Sequence, residues 1–285
     1  MREIKPYLKE LIFGMEIVIS RVLSGWINSI DKLVLAKFIT IGEFGSYTRA
    51  ERFAKMPDAN LRTSITTPVL TYLSRKKSNT KFGDYLLIIW VIFLLAGTPC
   101  FIFLSNGDML FSLFMGEQWI EMGWMLQWLG LLGFARVLQG LTVIICIDQT
   151  KATQISRYVI GSLFFVLALP LMILLFNGRI YPFVVIISIT SIIYWTCIIQ
   201  HTLIKFFPNN KKAIMGNICL QLIIAMLSVL GANSVYYIIN VYACSYALLF
   251  SIIVQILIVF ILFILFKKNI AIRIYDMIIE RRKLK

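Results

Sequence analysis

Glu51, Lys55, Asp58 and Arg62 follow one another at helical spacings of four, three and four residues, which places charges of alternating sign on one face. A ladder of this kind neutralises itself and can line a wet cavity with no ligand present. Arg49 and Arg52 stand beside it without an acidic partner on the same helix. Arginine stays charged at any accessible pH and grips phosphate with two parallel hydrogen bonds. These two are therefore candidates for holding an anionic substrate, with Arg62 next; the alternative is that they snorkel toward the outer headgroups. Arg136, with Gln139 three residues on, lies inside an otherwise apolar run and is a further candidate. Glu16 and Arg21 share another apolar run and either partner the arginines across helices or serve in ion coupling.

The setting makes these charges notable. Of 285 residues, 59% are hydrophobic and 15% charged, and mean hydropathy is +0.84. Soluble chains hold more charge and less apolar surface than this. The composition is that of an all-α, polytopic membrane protein. Spans are expected near 9–30, 44–72, 84–105, 121–147, 155–176, 180–200, 213–231 and 241–266, about eight in all. Residues 106–120 and 232–240 are read as outer loops. The first two spans are far more polar than the rest, so a rival reading lays residues 1–83 on the membrane surface and leaves six spans.

Basic residues test the topology. Most of the 28 Lys and Arg residues fall in alternate loops, with 106–120 and 232–240 holding none. The positive-inside rule then puts both termini in the cytoplasm. The net charge of +14 reflects this asymmetry, and no nucleic-acid partner is expected because the charges sit at span ends rather than along one face. The tail 267–285 mixes apolar and basic residues, which suits a helix on the anionic inner leaflet or a solvated end. Pro57, Pro68, Pro99 and Pro170 are placed to bend helices.

Other chemistry has little to build with. His201 is the only histidine, the five cysteines lack metal-ligand spacing, and no phosphate-binding GxxxxGK[ST] motif occurs. No metal, no cofactor and no enzymatic activity are expected. Outer loops of about 15 residues are too short for a catalytic domain.

Three stretches carry a resemblance to bacterial oligosaccharide flippases of the multidrug/oligosaccharidyl-lipid/polysaccharide exporter superfamily. The first is Asp31-Lys32-Leu33-Val34-Leu35 followed by Gly42-Glu43-Phe44-Gly45-Ser46-Tyr47-Thr48-Arg49-Ala50. The second is Pro68-Val69-Leu70-Thr71-Tyr72-Leu73-Ser74-Arg75. The third is Leu113-Phe114-Met115-Gly116-Glu117-Gln118-Trp119 with Met125-Leu126-Gln127-Trp128-Leu129. The resemblance covers the first 135 or so residues and matches the second of the family's two six-helix lobes.

It implies a six-helix lobe over residues 1–200, two additional helices over 213–266 and a cytoplasmic tail. The implied activity is translocation of an undecaprenyl-diphosphate-linked oligosaccharide (an O-antigen, capsule or exopolysaccharide unit) across the inner membrane. Arg49, Arg52, Arg62, Arg136 and Arg21 would hold the diphosphate, and Glu16 or Asp31 would couple an ion. The family's first lobe has no counterpart here, so a second lobe or a second copy of the chain would supply the facing wall. Membrane lipid is the other partner. Rival readings are an inactive or accessory fragment of such a transporter and a membrane-embedded enzyme of glycan assembly.

Overall fold

The computed structural model describes residues 4–64, 66–75, 82–149, 152–168, 179–241, 248 and 251–261. Among these residues every element is helical. Helices α1 (Ile4–Phe38), α2 (Ile41–Ser64), α3 (Thr66–Arg75), α4 (Phe82–Ile92), α5 (Thr98–Met115), α6 (Trp124–Asp148), α7 (Ala152–Ser162), α8 (Ile180–Phe206) and α9 (Lys211–Val241) follow in order. A short apolar helix, α10 (Ser251–Ile261), comes last. Four helical stretches are long and apolar enough to cross a membrane: Phe82–Met115, Trp124–Asp148, Ile180–Phe206 and Pro208–Gly231. The chain is an all-α, polytopic membrane protein.

Several elements run longer than their hydropathy suggests. Helix α1 has 35 residues, about 50 Å of helix at 1.5 Å per residue, against an expected span of 9–30. The two expected outer loops are corrected. Residues 106–115 continue α5, with one non-helical residue at Asn106 (φ −127°, ψ 21°). Residues 232–240 lie wholly within α9. Neither stretch contains a proline, and low charge alone does not end a helix. The tail 267–285 and Pro170 lie outside the described residues.

Helices α4 and α5 form one rod with a π-helical turn at Phe93–Gly97 between them. Pro99 explains the turn, because it lacks an N–H and its ring displaces the carbonyl four residues back. Pro57, in contrast, sits inside a continuous α2. A second π-helical turn, Leu163–Leu167, follows α7.

Helix α6 is the hub of the bundle and packs on α2, α5 and α8. Close approach is possible because α6 carries glycine where neighbours cross. A Cβ on Gly133 would sit 2.3 Å from the Ala54 carbonyl oxygen, and one on Gly130 would sit 2.8 Å from the Cys100 carbonyl oxygen. Membrane helices use small residues in this way, since lipid gives no hydrophobic drive for their association. Rings of Phe93, Phe101 and Phe134 fill the space beside this crossing. Helix α10 joins the bundle through polar contacts: Ser105 donates to Gln255 at 2.7 Å and Ser251 donates to Asn106 at 3.1 Å. The bend at Asn106 is therefore tied to the last described helix.

Candidate functional site

Helix α2 presents Tyr47, Ala50, Glu51, Ala54 and Asp58 to the interior, and all five are buried. Their spacing makes one face, and that face meets α6 at Gly133. A carboxylate is thereby carried into the bundle, where it must be paired. Glu51 is 1% exposed and receives three cations from three helices. Lys32 of α1 reaches one oxygen at 2.9 Å. Lys55, one turn along α2, and Arg136 of α6 share the other, with Arg136 at 3.2 Å. No helix alone could assemble this cluster.

Asp31 lies next to it on α1, also buried. Tyr47 donates its hydroxyl to one Asp31 oxygen at 2.8 Å. The other oxygen is buried with no hydrogen-bond partner among the described residues. That oxygen belongs beside water, and a cavity is at hand. About 40 Å³ of open space is lined by Ser24, Asp31, Arg136, Gln139, Ser162 and Ser191, with Leu132, Val166, Ile187 and Trp195 among its apolar walls. This holds a few waters but no sugar. Three cations and two carboxylates meet here, and a third buried carboxylate, Asp58, lies one turn past Lys55 on the same face of α2, so acidic and basic groups of the region balance. The cluster is partly open on the side away from the cavity, where Lys32 is 36% and Lys55 25% exposed.

The residues expected to act together are distributed differently. Arg136 and Asp31 do line one cavity, with Gln139 beside them. Arg49 is exposed and its guanidinium stacks 4.4 Å from the ring centre of Trp119. Arg52 is exposed on α2. Both point away from Glu51, so the structure does not bring them into the cavity. The expectation that the α2 charges neutralise one another holds for Glu51 and Lys55, but Glu51 also answers to α1 and α6. Glu16 is half-buried on α1, fifteen residues and about 22 Å of helix from Asp31, so it is no part of this cluster. The side chains of Arg21 and Arg62 lie outside the described residues.

Lys32, Tyr47 and the hub role of Glu51 were not legible beforehand. Lys32 reads as a loop residue beside a span, and its partner lies on another helix.

Residues 2–123 match the family model described as polysaccharide biosynthesis protein. The matched stretch includes α1, α2 and therefore Asp31, Lys32, Glu51 and Lys55; Arg136 lies beyond it. The match covers less than half of the chain and supports a link to polysaccharide biosynthesis. No curated protein matches the chain, and no solved structure does.

Proposed function

We propose that this chain forms one wall of a transporter that moves an undecaprenyl-diphosphate-linked oligosaccharide, of O-antigen, capsule or exopolysaccharide type, across the bacterial inner membrane. The observation that carries the reading is the gathering of Lys32, Lys55 and Arg136 on the buried Glu51, in a helical membrane bundle whose first part matches a polysaccharide-biosynthesis family. A diphosphate is the anionic part of such a substrate, and cations in a poorly hydrated site hold it firmly. Arg49 and Arg52, exposed on the same helix, meet the remainder of the headgroup at the rim. Asp31, with its open oxygen against the cavity, is the group that couples an ion.

In this reading the chain makes and breaks no covalent bond. The lipid tail stays in the bilayer while the glycan crosses in a cleft between this lobe and a second one, supplied by another copy or another chain. Basic loops place both termini in the cytoplasm. The test is rescue of a strain lacking its oligosaccharide flippase, scoring surface glycan and inward-facing lipid-linked precursor. Restored export that is lost in Arg136→Met supports the reading. Failure of the stably inserted chain, alone and with a co-expressed first lobe, refutes it.

A further inference from the structure

The cluster around Glu51 already holds an anion, and that anion belongs to the protein. We propose that Glu51 is a displaceable stand-in for a phosphate group, so that a phosphate- or diphosphate-bearing ligand enters by taking Lys32, Lys55 and Arg136 from it. The inference rests on the reading above for where the ligand comes from, but not for whether the site binds phosphate.

Three observations carry it. First, the stoichiometry is that of an anion site. One carboxylate with two oxygens accepts from three cationic side chains on α1, α2 and α6. A phosphate offers three oxygens and a larger charge, which matches that donor set better than Glu51 does. Second, Glu51 is where the three cations converge. Asp31 of α1 is itself engaged by Tyr47 of α2, and Asp58 lies two turns further along α2, beside Gly140 of α6. Third, there is a way in. Lys32 and Lys55 are part-exposed, and Arg136 reaches the polar cavity on the far side. Helix α1 packs chiefly on α7 and touches α2 sparsely. The Lys32–Glu51 bridge and the Tyr47–Asp31 hydrogen bond are polar ties across that sparse seam.

Displacement has a mechanical consequence. Glu51 joins α2 to α1 and α6 at once, so a ligand that takes its partners releases α2 from both through Glu51 and rejoins them through phosphate. Ligand occupancy and helix position thus become one event, and the carboxylate returns when the ligand leaves.

The experiment titrates inorganic pyrophosphate into the full chain in phosphatidylcholine nanodiscs by calorimetry. Glu51→Gln removes the competing charge and keeps the shape, so pyrophosphate is expected to bind roughly tenfold tighter or better than to the unchanged chain. Lys32→Met added to that variant returns most of the gain. Equal or weaker binding by Glu51→Gln overturns the proposal. Should that variant fail to fold, Glu51→Asp, which keeps the charge but shortens the reach, is expected to bind a few-fold tighter, and unchanged or weaker binding overturns the proposal as well. A second arm adds phosphatidylglycerol to the nanodisc. If the anionic lipid abolishes the pyrophosphate titration of Glu51→Gln, the role of Glu51 stands and the bilayer's own headgroups are the ligand, which counts against glycan-lipid transport alone.

Discussion

Gly133→Ala is the smallest change that tests how the site is positioned. The new methyl would stand 2.3 Å from the Ala54 carbonyl oxygen, which is backbone and has no rotamer to yield. Real contacts of this kind do not fall below ~3.0 Å, so α2 and α6 must part by at least ~0.7 Å. Glu51 lies three residues before Ala54, and Arg136 three residues after Gly133, on the faces that meet. Their 3.2 Å contact lengthens to roughly 3.9 Å if it moves with the backbone, beyond the reach of a charge-assisted hydrogen bond. Overpacking of this size costs about 1–3 kcal/mol. The assay is thermal unfolding of the purified chain in nanodiscs, followed by tryptophan emission, alongside Gly45→Ala. Gly45 is also on α2, and a Cβ there meets nothing within 4 Å, so the helix should gain up to ~1 kcal/mol. A lower midpoint for Gly133→Ala with an unchanged or higher one for Gly45→Ala is expected. An unchanged midpoint for Gly133→Ala would refute the packing argument, and with it the claim that this crossing sets the distance from Glu51 to Arg136.

Tyr47→Phe removes the only described donor to Asp31 and strands a buried carboxylate, so destabilisation of about 1–3 kcal/mol is expected by the same unfolding measurement; adding Asp31→Asn to Tyr47→Phe should recover part of it. Arg49→Met removes the cation over Trp119 and leaves that ring packed on Phe111; an exposed cation–π pair is worth only about 0.5–1 kcal/mol, and a larger loss in urea or thermal unfolding would mean that Arg49 does more than stack on Trp119. Pro99→Ala restores an N–H beside the π-helical turn at Phe93–Gly97. The turn should then relax toward α-helix and shift α4 against α5, which proton–deuterium exchange over residues 90–100 would report as slower exchange; unaltered exchange would show that something other than the proline sustains it.

The apolar spans were legible because a bilayer imposes one simple demand on length and hydropathy. Helix α6 (Trp124–Asp148) falls within three residues of its expected span, and α8 begins where it was expected. Helix α9 overran its span because residues 232–240 carry no break, and charge-poor polar residues can continue a helix past the hydrocarbon. The site was only half visible. Arg136 stood out by being charged inside an apolar run, and it does line the cavity. Arg49 and Arg52 stood out for want of a partner on α2, yet helix geometry already turns them away. At about 100° per residue, Arg49 lies near 200° from Glu51 and Arg52 near 100°, whereas Lys55 returns to within about 40°. Lys32 gave no such signal, since its partner is set by how α1 meets α2 rather than by spacing along either helix.

What the bundle does with its charges bears on how a large substrate could use it. Ligand pockets for organic molecules usually enclose about 300–1,000 Å³, whereas the cavity beside Arg136 offers about 40 Å³. A glycan therefore does not fit that cavity, though a phosphate can reach its edge. Lys32 and Lys55 are part-exposed while Arg136 lines the cavity, so the cluster lies between the cavity and the surface of the bundle. On the proposed reading, an anion drawn there would carry its bulky substituents outside the bundle, against the second lobe which that reading calls for. The same geometry explains why the cations are held on a glutamate in the meantime. Three unpaired cations at this depth would repel one another and destabilise the α1–α2–α6 junction. One buried carboxylate keeps the junction closed, and an anion with more oxygens and more charge suits the same three donors better.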